Sequence, residues 1–284
     1  NALAIGCDGK QIATGGTGEK IQVWSTESGK IAAEFAKPGP GDSIVASLSF
    51  SPNGELLAYG GDKTGVGILS VTQPDHVVQL GLSCELVFAV RFDPAKGRLA
   101  AGCSDDLGAG RLVDPDAPAK ASDHAPGTIF VWDAPYDAPP WTLVGHDRAV
   151  FPLAFSQDGG TLVSAHIVGG TRIWDVEKRV VRTSLKPDEF VLSLSIAVSP
   201  DGKIFAAPEE VDPKERDRQV DAIAIWDMDG NKTARMPTEH TCISCLAFAP
   251  DGNGLYVGCY DGTLELWDWQ KGILVESFID PEVK

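Results

Sequence analysis

The stretch Cys245–Gly252, with the sequence CLAFAPDG, decides the fold because similar stretches recur along the whole chain. Apolar residues alternate before a turn containing Pro, Asp and Gly, and a second apolar run, LYVG, follows at Leu255–Gly258. Alternation of this kind predicts half-buried β-strands. Asp-Gly supplies the positive φ angles of a tight hairpin. The segment therefore predicts two antiparallel strands joined by a short turn.

Five further copies of this hairpin align with the first one. They lie at Leu3–Gly9, Ser47–Gly54, Val90–Pro94, Pro152–Gly159 and Ala197–Gly202. The equivalent apolar positions are Ile5, Phe50, Phe92, Phe155, Val198 and Phe248. Their spacings are 45, 42, 63, 43 and 50 residues, and a period of this size is typical of arrays of one supersecondary unit. Six repeats are predicted, one of them lengthened by an insertion.

Each copy is followed by a strand that ends in Trp-Asp or a related pair. The tryptophans are Trp24, Trp132, Trp174, Trp226 and Trp267, and Leu69 takes their place in the second repeat. We interpret these indoles as core residues of the repeats. Strands of this type bury side chains against the neighbouring repeat, so no single repeat is expected to be stable alone.

The repeated hairpin and the Trp-Asp pairs resemble the WD40-repeat family over nearly the whole chain. The resemblance implies an all-β WD40 β-propeller in which six four-stranded blades are visible. The expected blades are residues 1–36, 43–81, 85–145, 147–186, 189–237 and 240–280 of a single domain, 1–284. Both a six-bladed ring and a ring with a seventh blade from further sequence remain open.

The resemblance also implies a hydrogen-bonded chain of His, Ser or Thr, Asp and Trp in a blade, and no blade here has all four. Blade 4 has His146, Ser164 and Trp174, but Val168 stands in the position of the Asp. We interpret His146 as structural. The incomplete set predicts that the repeats depend more on packing than on this polar network.

Blade 6 shows the same kind of departure from the family pattern. It has His240, Asp261 and Trp267, but Val257 replaces the Ser or Thr. We therefore interpret His240 and Asp261 as structural residues of the last repeat.

The chain is acidic, with 40 Asp and Glu against 24 Lys and Arg and a formal net charge of −16. Nucleic acid binding depends on neutralising phosphates with Lys and Arg, and this chain repels a polyanion at long range. A neutral or basic protein or peptide is the favoured partner. The alternative is that the acidity serves only solubility.

Six cysteines include the C-x-x-C pair Cys242 and Cys245, whose spacing is that of half of a metal site. The pair falls on a predicted strand, where positions i and i+3 point to opposite faces, so one ion cannot easily be chelated by both. We interpret the pair as structural thiols, and thiols favour a reducing compartment, with the cytoplasm preferred. No stretch approaches the roughly 18 apolar residues of a membrane span, and no secretory signal is visible after Asn1.

Two insertions are predicted between the second and third strands of their blades, at Asp105–Gly127 and Pro208–Val220. In the WD40 arrangement such loops share one face with the loops that link successive blades, and long loops on a rigid scaffold often carry binding residues. The alternative is that both are tolerated surface insertions. The candidate partner-binding residues on this face are Glu85, Arg148, Phe190, Glu209, Glu210, Lys214, Arg216, Thr241 and Tyr260.

Catalytic motifs are missing from the sequence. Neither His-Glu-x-x-His nor Gly-x-Ser-x-Gly occurs, Gly15–Lys20 joins two predicted strands instead of opening a helix, and Asp227–Asn231 fits a turn better than a calcium loop. We expect no catalytic residue, cofactor or metal. The favoured function is an interaction or sensing scaffold, one module of a larger protein. The alternatives are recognition of a basic peptide or tail, and a propeller enzyme or small-ligand binder that uses the central channel.

Overall fold

The computed structural model describes residues 2–80, 82, 86–104, 127–166, 170–185, 195–210, 221–240 and 243–278, with the side chains of Glu210 and Asp221 left out. Every regular element in these ranges is a β-strand, which confirms the predicted all-β class. No helix there is long and apolar enough to cross a membrane. The chain divides into two compact units, Asn1–Leu153 and Ala154–Lys284.

The first unit begins with a four-stranded antiparallel sheet in chain order. Its strands are β1 (Ala2–Ile5), β2 (Gln11–Gly15), β3 (Lys20–Ser25) and β4 (Ile31–Ala36). Eight strands follow: β5 (Ile44–Phe50), β6 (Leu56–Asp62), β7 (Gly65–Ser70), β8 (Val77–Leu80), β9 (Leu86–Phe92), β10 (Leu99–Ser104), β11 (Ile129–Trp132) and β12 (Trp141–Leu143). They form one hydrogen-bonded sheet, in the order β12-β11-β10-β9-β6-β7-β8 with β5 beside β6.

Two successive hairpin groups are joined where β9 meets β5 and β6. Asp62 of β6 pairs with Leu86 of β9. The hydroxyl oxygen of Ser47 on β5 accepts a hydrogen bond from the Val90 N–H at 3.1 Å, and that of Ser49 accepts one from the Phe92 N–H at 3.0 Å. Side-chain hydroxyls thus continue the hydrogen bonding of β9 beyond its single backbone pair with β6.

The remaining strands form three four-stranded antiparallel sheets, each in chain order. The strands are β13 (Val150–Phe155), β14 (Thr161–His166), β15 (Thr171–Asp175) and β16 (Val180–Leu185), then β17 (Ala197–Val198), β18 (Ile204–Glu210), β19 (Asp221–Asp227) and β20 (Lys232–Pro237), then β21 (Ile243–Phe248), β22 (Gly254–Cys259), β23 (Leu264–Asp268) and β24 (Ile273–Phe278).

The hairpin turns form at the predicted Pro, Asp, Asn and Gly positions. Between β17 and β18, Gly202 has φ +68°, and the Ser199 hydroxyl donates a hydrogen bond of 2.7 Å to the Asp201 carboxylate. The same carboxylate oxygen accepts the Lys203 N–H at 3.1 Å. The turn is therefore closed by local contacts alone, and for this reason the turn can be predicted from its own sequence without knowledge of the fold.

Asp201 gives the turn a dependence on pH. The Ser199 hydroxyl and then the Lys203 N–H lower the pKa of Asp201 below its ordinary value. A carboxylate with a lowered folded pKa stabilises the fold above its unfolded pKa of about 3.9, and this stabilisation is lost as pH falls through the folded pKa. We expect Asp201→Asn to make the loss of stability below about pH 4 less steep. Urea unfolding at a series of pH values measures this slope, and Ser199→Ala should change it in the same direction. Identical acid profiles for both variants and the wild type would contradict the assignment.

The repeat tryptophans differ in burial. Trp132, Trp174 and Trp267 are buried, with at most 8% exposure, whereas Trp24 and Trp226 are half-buried. The Trp226 ring stacks on Phe205, and the Lys232 ammonium lies 4.8 Å from the centroid of the Trp226 ring.

The second insertion is shorter than the sequence suggested. Pro208, Glu209 and Glu210 belong to β18 and pair with β19, and β19 begins at Asp221. The Glu209 carboxylate forms ion pairs with Lys232 and Arg235 of β20, the latter at 3.0 Å. The sequence of this charged segment resembles that of a loop, but the cross-strand ion pairs stabilise the segment as a β-strand. In the first insertion, residues 105–126 lie outside the described residues.

Among the described cysteines, Cys103 differs from the other three in its covalent state. Cys103 on β10 is disulfide-bonded, whereas Cys7, Cys245 and Cys259 are free of disulfides. Cys84 and Cys242 lie outside the described residues.

Candidate functional site

Tyr260 stands at the tip of the β22–β23 hairpin and is 83% exposed. The turn beneath it is held by hydrogen bonds from the Cys259 N–H to the Thr263 carbonyl, 2.9 Å, and from the Gly262 N–H to the Cys259 carbonyl, 3.1 Å. Gly262 has φ +89°, a conformation that other residues rarely adopt. Asp261 accepts the Thr263 N–H at 2.9 Å. A rigid turn thus presents an aromatic ring to solvent.

Directly beside this turn, His240 bridges two carboxylates. Its Nδ1 lies 2.9 Å from Asp261 Oδ2, and its Nε2 lies 3.0 Å from Glu265 Oε1. The other oxygen of Glu265 accepts a hydrogen bond of 2.8 Å from the Trp267 indole. Glu265 is 4% exposed, so a buried carboxylate connects the histidine to the repeat tryptophan.

Glu265 connects His240 to Trp267, a role that the family pattern assigns to a Ser or Thr at the position of Val257. The family pattern calls for a hydroxyl on β22, but here the connecting group comes from β23. Glu265 and Trp267 are two positions apart on that strand, so their side chains share a face. The signal in the sequence is an acidic residue between Leu264 and Leu266, which resembles an ordinary solvent-facing position.

The two carboxylates change the titration of the imidazole. Burial alone would lower the pKa of His240, but the hydrogen bonds and negative charges of Asp261 and Glu265 outweigh it and raise that pKa above its ordinary value. The N–H and hydroxyl of Thr263, and then His240, lower the pKa of Asp261. The cluster therefore favours a cationic imidazole between Asp261 and Glu265.

The other candidate residues are spread over several elements. Arg148 is exposed in the first unit, between β12 and β13. In the second unit Glu209 lies on β18 with its carboxylate in ion pairs, and Glu210 ends the same strand. Glu85, Phe190, Lys214, Arg216 and Thr241 lie outside the described residues.

Hydroxyl-to-indole contacts occur in two other sheets. The Trp174 indole donates a 2.7 Å hydrogen bond to the Ser164 hydroxyl, and the Trp24 indole donates one of 3.1 Å to Thr14. His146 is buried, with 3% exposure. The polar links of the repeats are thus present in part, with a different acceptor in the last sheet.

Comparison with known proteins gives a consistent family. The family model described as "WD domain, G-beta repeat" matches residues 34–64 and 231–268. The chain is 28% identical over 207 residues to periodic tryptophan protein 2 homolog of Dictyostelium discoideum, an alignment that covers 72% of this chain and 20% of that protein. It is 26% identical over 233 residues to mouse telomerase Cajal body protein 1, covering 78% and 38%.

A third relative is the small ribosomal subunit protein RACK1y of Oryza sativa subsp. japonica, 24% identical over 162 residues, which cover 54% of this chain and 45% of that protein. The chain thus spans from 20% to 45% of the length of these three relatives. The matched repeats agree with the antiparallel sheets of the described residues. The chain contains WD40 repeats and has the all-β fold class of a WD40 β-propeller.

Proposed function

We propose that this protein is a non-catalytic scaffold or sensing module that holds a protein or peptide partner, and that the β22–β23 turn forms part of the binding surface. The observation that carries the proposal is the exposure of Tyr260, 83%, on a turn fixed by backbone hydrogen bonds. Tyrosine contributes strongly to binding when it fills a pocket of a partner, and a rigid turn loses little entropy on binding.

The presence of WD40 repeats supports an interaction role by analogy of fold. Two of the relatives carry the names of larger assemblies, the small ribosomal subunit and the telomerase Cajal body. We propose that this chain likewise works as one module of a larger protein or assembly, with residues 1–284 as a single propeller domain.

The charge near Tyr260 favours a basic or neutral partner over a nucleic acid. Asp261, next to it, has a half-exposed side chain, and Glu239 is exposed immediately before His240. The whole chain carries a formal charge of −16. A basic peptide gains from this field at low salt, whereas a phosphate backbone is repelled by it.

The proposed compartment is the cytoplasm, as the exposed Cys7 and Cys245 thiols suggest. The disulfide at Cys103 is typical of oxidising compartments and argues in the other direction. Counting free thiols in protein from fractionated cells would distinguish the two.

The test of the binding surface uses an array of synthetic peptides of matched length with basic, neutral or acidic composition. We expect the wild type to retain basic peptides in a salt-sensitive manner, and Tyr260→Ala to weaken binding by about 30-fold, because truncating a central aromatic residue costs about 2 kcal/mol. Val275→Ala is the matched control, since Val275 is 57% exposed on β24 of the same sheet. Equal binding of acidic peptides would contradict the partner chemistry. Unchanged binding by folded Tyr260→Ala would place the surface elsewhere.

A further inference from the structure

We propose that His240, Cys259 and Asp261 form a binding site for a divalent transition-metal ion, with Zn²⁺ as the preferred ion. The ligand atoms are one imidazole nitrogen, the thiol sulfur and one carboxylate oxygen, and all three lie within 4.8 Å of one another. This inference goes beyond the scaffold function and departs from the expectation, drawn from the sequence, that the chain binds no metal.

The chemistry of the three groups selects the ion. A thiolate is a soft ligand and an imidazole a borderline one, and their combination with one carboxylate is typical of Zn²⁺. Ca²⁺ and Mg²⁺ prefer sites made only of oxygen atoms. Three protein ligands leave the fourth tetrahedral position for water or for a group from a partner.

The spacing of the ligand atoms fits a tetrahedral ion after small side-chain movements. Bond lengths of about 2.0–2.3 Å place ligand atoms roughly 3.3–3.8 Å apart around Zn²⁺. His240 Nδ1 and Asp261 Oδ2 are 2.9 Å apart and share a hydrogen bond, and one ligand atom from each of the three residues lies within 4.8 Å of the other two. Side-chain shifts of about 1 Å therefore suffice, and the hydrogen bonds of the Cys259–Thr263 turn hold the backbone that carries two of the three ligands.

Glu265 provides the feature that distinguishes this cluster from a chance grouping. Its buried carboxylate faces His240 Nε2 at 3.0 Å and is itself fixed by the Trp267 indole. When an ion takes the place of the Nδ1 proton, Nε2 keeps its proton on the hydrogen bond to Glu265, and the lone pair of Nδ1 faces the ion. Metal-binding histidines commonly donate their second N–H to a carboxylate in this way, which orients the ring and increases its basicity.

Metal binding at this site releases protons. The ion replaces the Nδ1 proton that His240 shares with Asp261, and it displaces the thiol proton of Cys259, so both protons pass to solvent. The Nε2 proton stays on the bond to Glu265. The same residues therefore hold either a proton or a metal ion between His240 and Asp261.

The test is a titration of the purified full chain with Co²⁺, followed by competition with Zn²⁺. We expect one ion per chain, a thiolate-to-cobalt absorption band in the near ultraviolet, and displacement of the cobalt by Zn²⁺. Cys259→Ser should abolish the band, whereas Cys245→Ser should retain it, because Cys245 is an exposed thiol on β21 of the same sheet and outside the cluster. Glu265→Gln should weaken Co²⁺ binding by about 10- to 100-fold.

Asp261→Ala provides a second variant if Cys259→Ser does not fold, because the Asp261 side chain is half-exposed. It should lower Co²⁺ affinity and reduce the increase in Tm that Zn²⁺ produces in the wild type. Absence of stoichiometric Co²⁺ binding by the wild type would overturn the proposal. A band that persists in Cys259→Ser, or that disappears in Cys245→Ser, would also overturn it, and the second result would point to the Cys242 and Cys245 pair instead.

Discussion

Replacing Trp174 with alanine is expected to lower the free energy of unfolding by about 3–5 kcal/mol. The indole is 1% exposed, and the substitution leaves a cavity among closely packed strands. It also removes the 2.7 Å hydrogen bond that the indole donates to the hydroxyl of Ser164, a completely buried residue. Urea unfolding followed by circular dichroism measures the loss, since both proteins should retain a β-sheet spectrum before the transition.

Trp24→Ala is the matched control because Trp24 occupies the same repeat position in the first sheet. Its indole is only half-buried, and its hydrogen bond to Thr14 is longer, 3.1 Å. We expect a clearly smaller loss of stability, because less apolar surface leaves water at this position. Equal losses for the two variants, or a loss below about 1 kcal/mol for Trp174→Ala, would contradict the burial argument.

Asp93→Ala should be comparably damaging, with an expected loss of about 3–5 kcal/mol. The Asp93 and Arg98 side chains form an ion pair of 2.8 Å in which they are 0% and 7% exposed. The second oxygen of Asp93 accepts the N–H groups of Ala95 and Lys96 at 2.8 and 3.1 Å. Removing the carboxylate leaves the buried guanidinium of Arg98 without its counter-charge and the β9–β10 turn without its hydrogen-bond acceptor. Thermal or urea unfolding measures the loss of stability.

The turn between β1 and β2 provides the comparison. Asp8 lies in the corresponding turn of the first sheet, but its pair with Lys10 is 3.9 Å long and more than half exposed on both sides. Such surface pairs contribute about 0–1 kcal/mol, so Asp8→Ala should have little effect. The double variant Asp93→Leu with Arg98→Met should be more stable than Asp93→Ala, because no unpaired charge then remains buried. A double variant that is no better than the single one would contradict the role assigned to charge.

The hairpins could be predicted from the sequence because their determinants are local. In the turn at Ser199–Gly202, the alternating apolar residues, the carboxylate and the glycine lie within a few positions of one another. The length of β18 could not be predicted, because Glu209 is stabilised by Lys232 and Arg235 from a strand more than twenty residues later. Without those two partners, the charged segment after Pro208 is typical of a loop.

The candidate site was predictable only in part. Tyr260 follows from the register of the repeat, which places it at the tip between the second and third strands. The partnership of His240 with Glu265 spans 25 residues, and a glutamate between two leucines of a strand resembles a solvent-facing position. The carboxylate that links His240 to Trp267 therefore becomes visible only when β23 is paired with its neighbours.

The joining of β9 to β5 and β6 has a consequence for how the first unit opens. Backbone amides exchange their hydrogens with solvent in cooperative groups that reflect shared hydrogen bonding. The Val90 and Phe92 amides are bonded to Ser47 and Ser49, so they are released only when two successive hairpin groups separate. Strands β5 to β12 should thus behave as one foldon in native-state hydrogen exchange, twice the size of the four-stranded group that a repeat sequence implies.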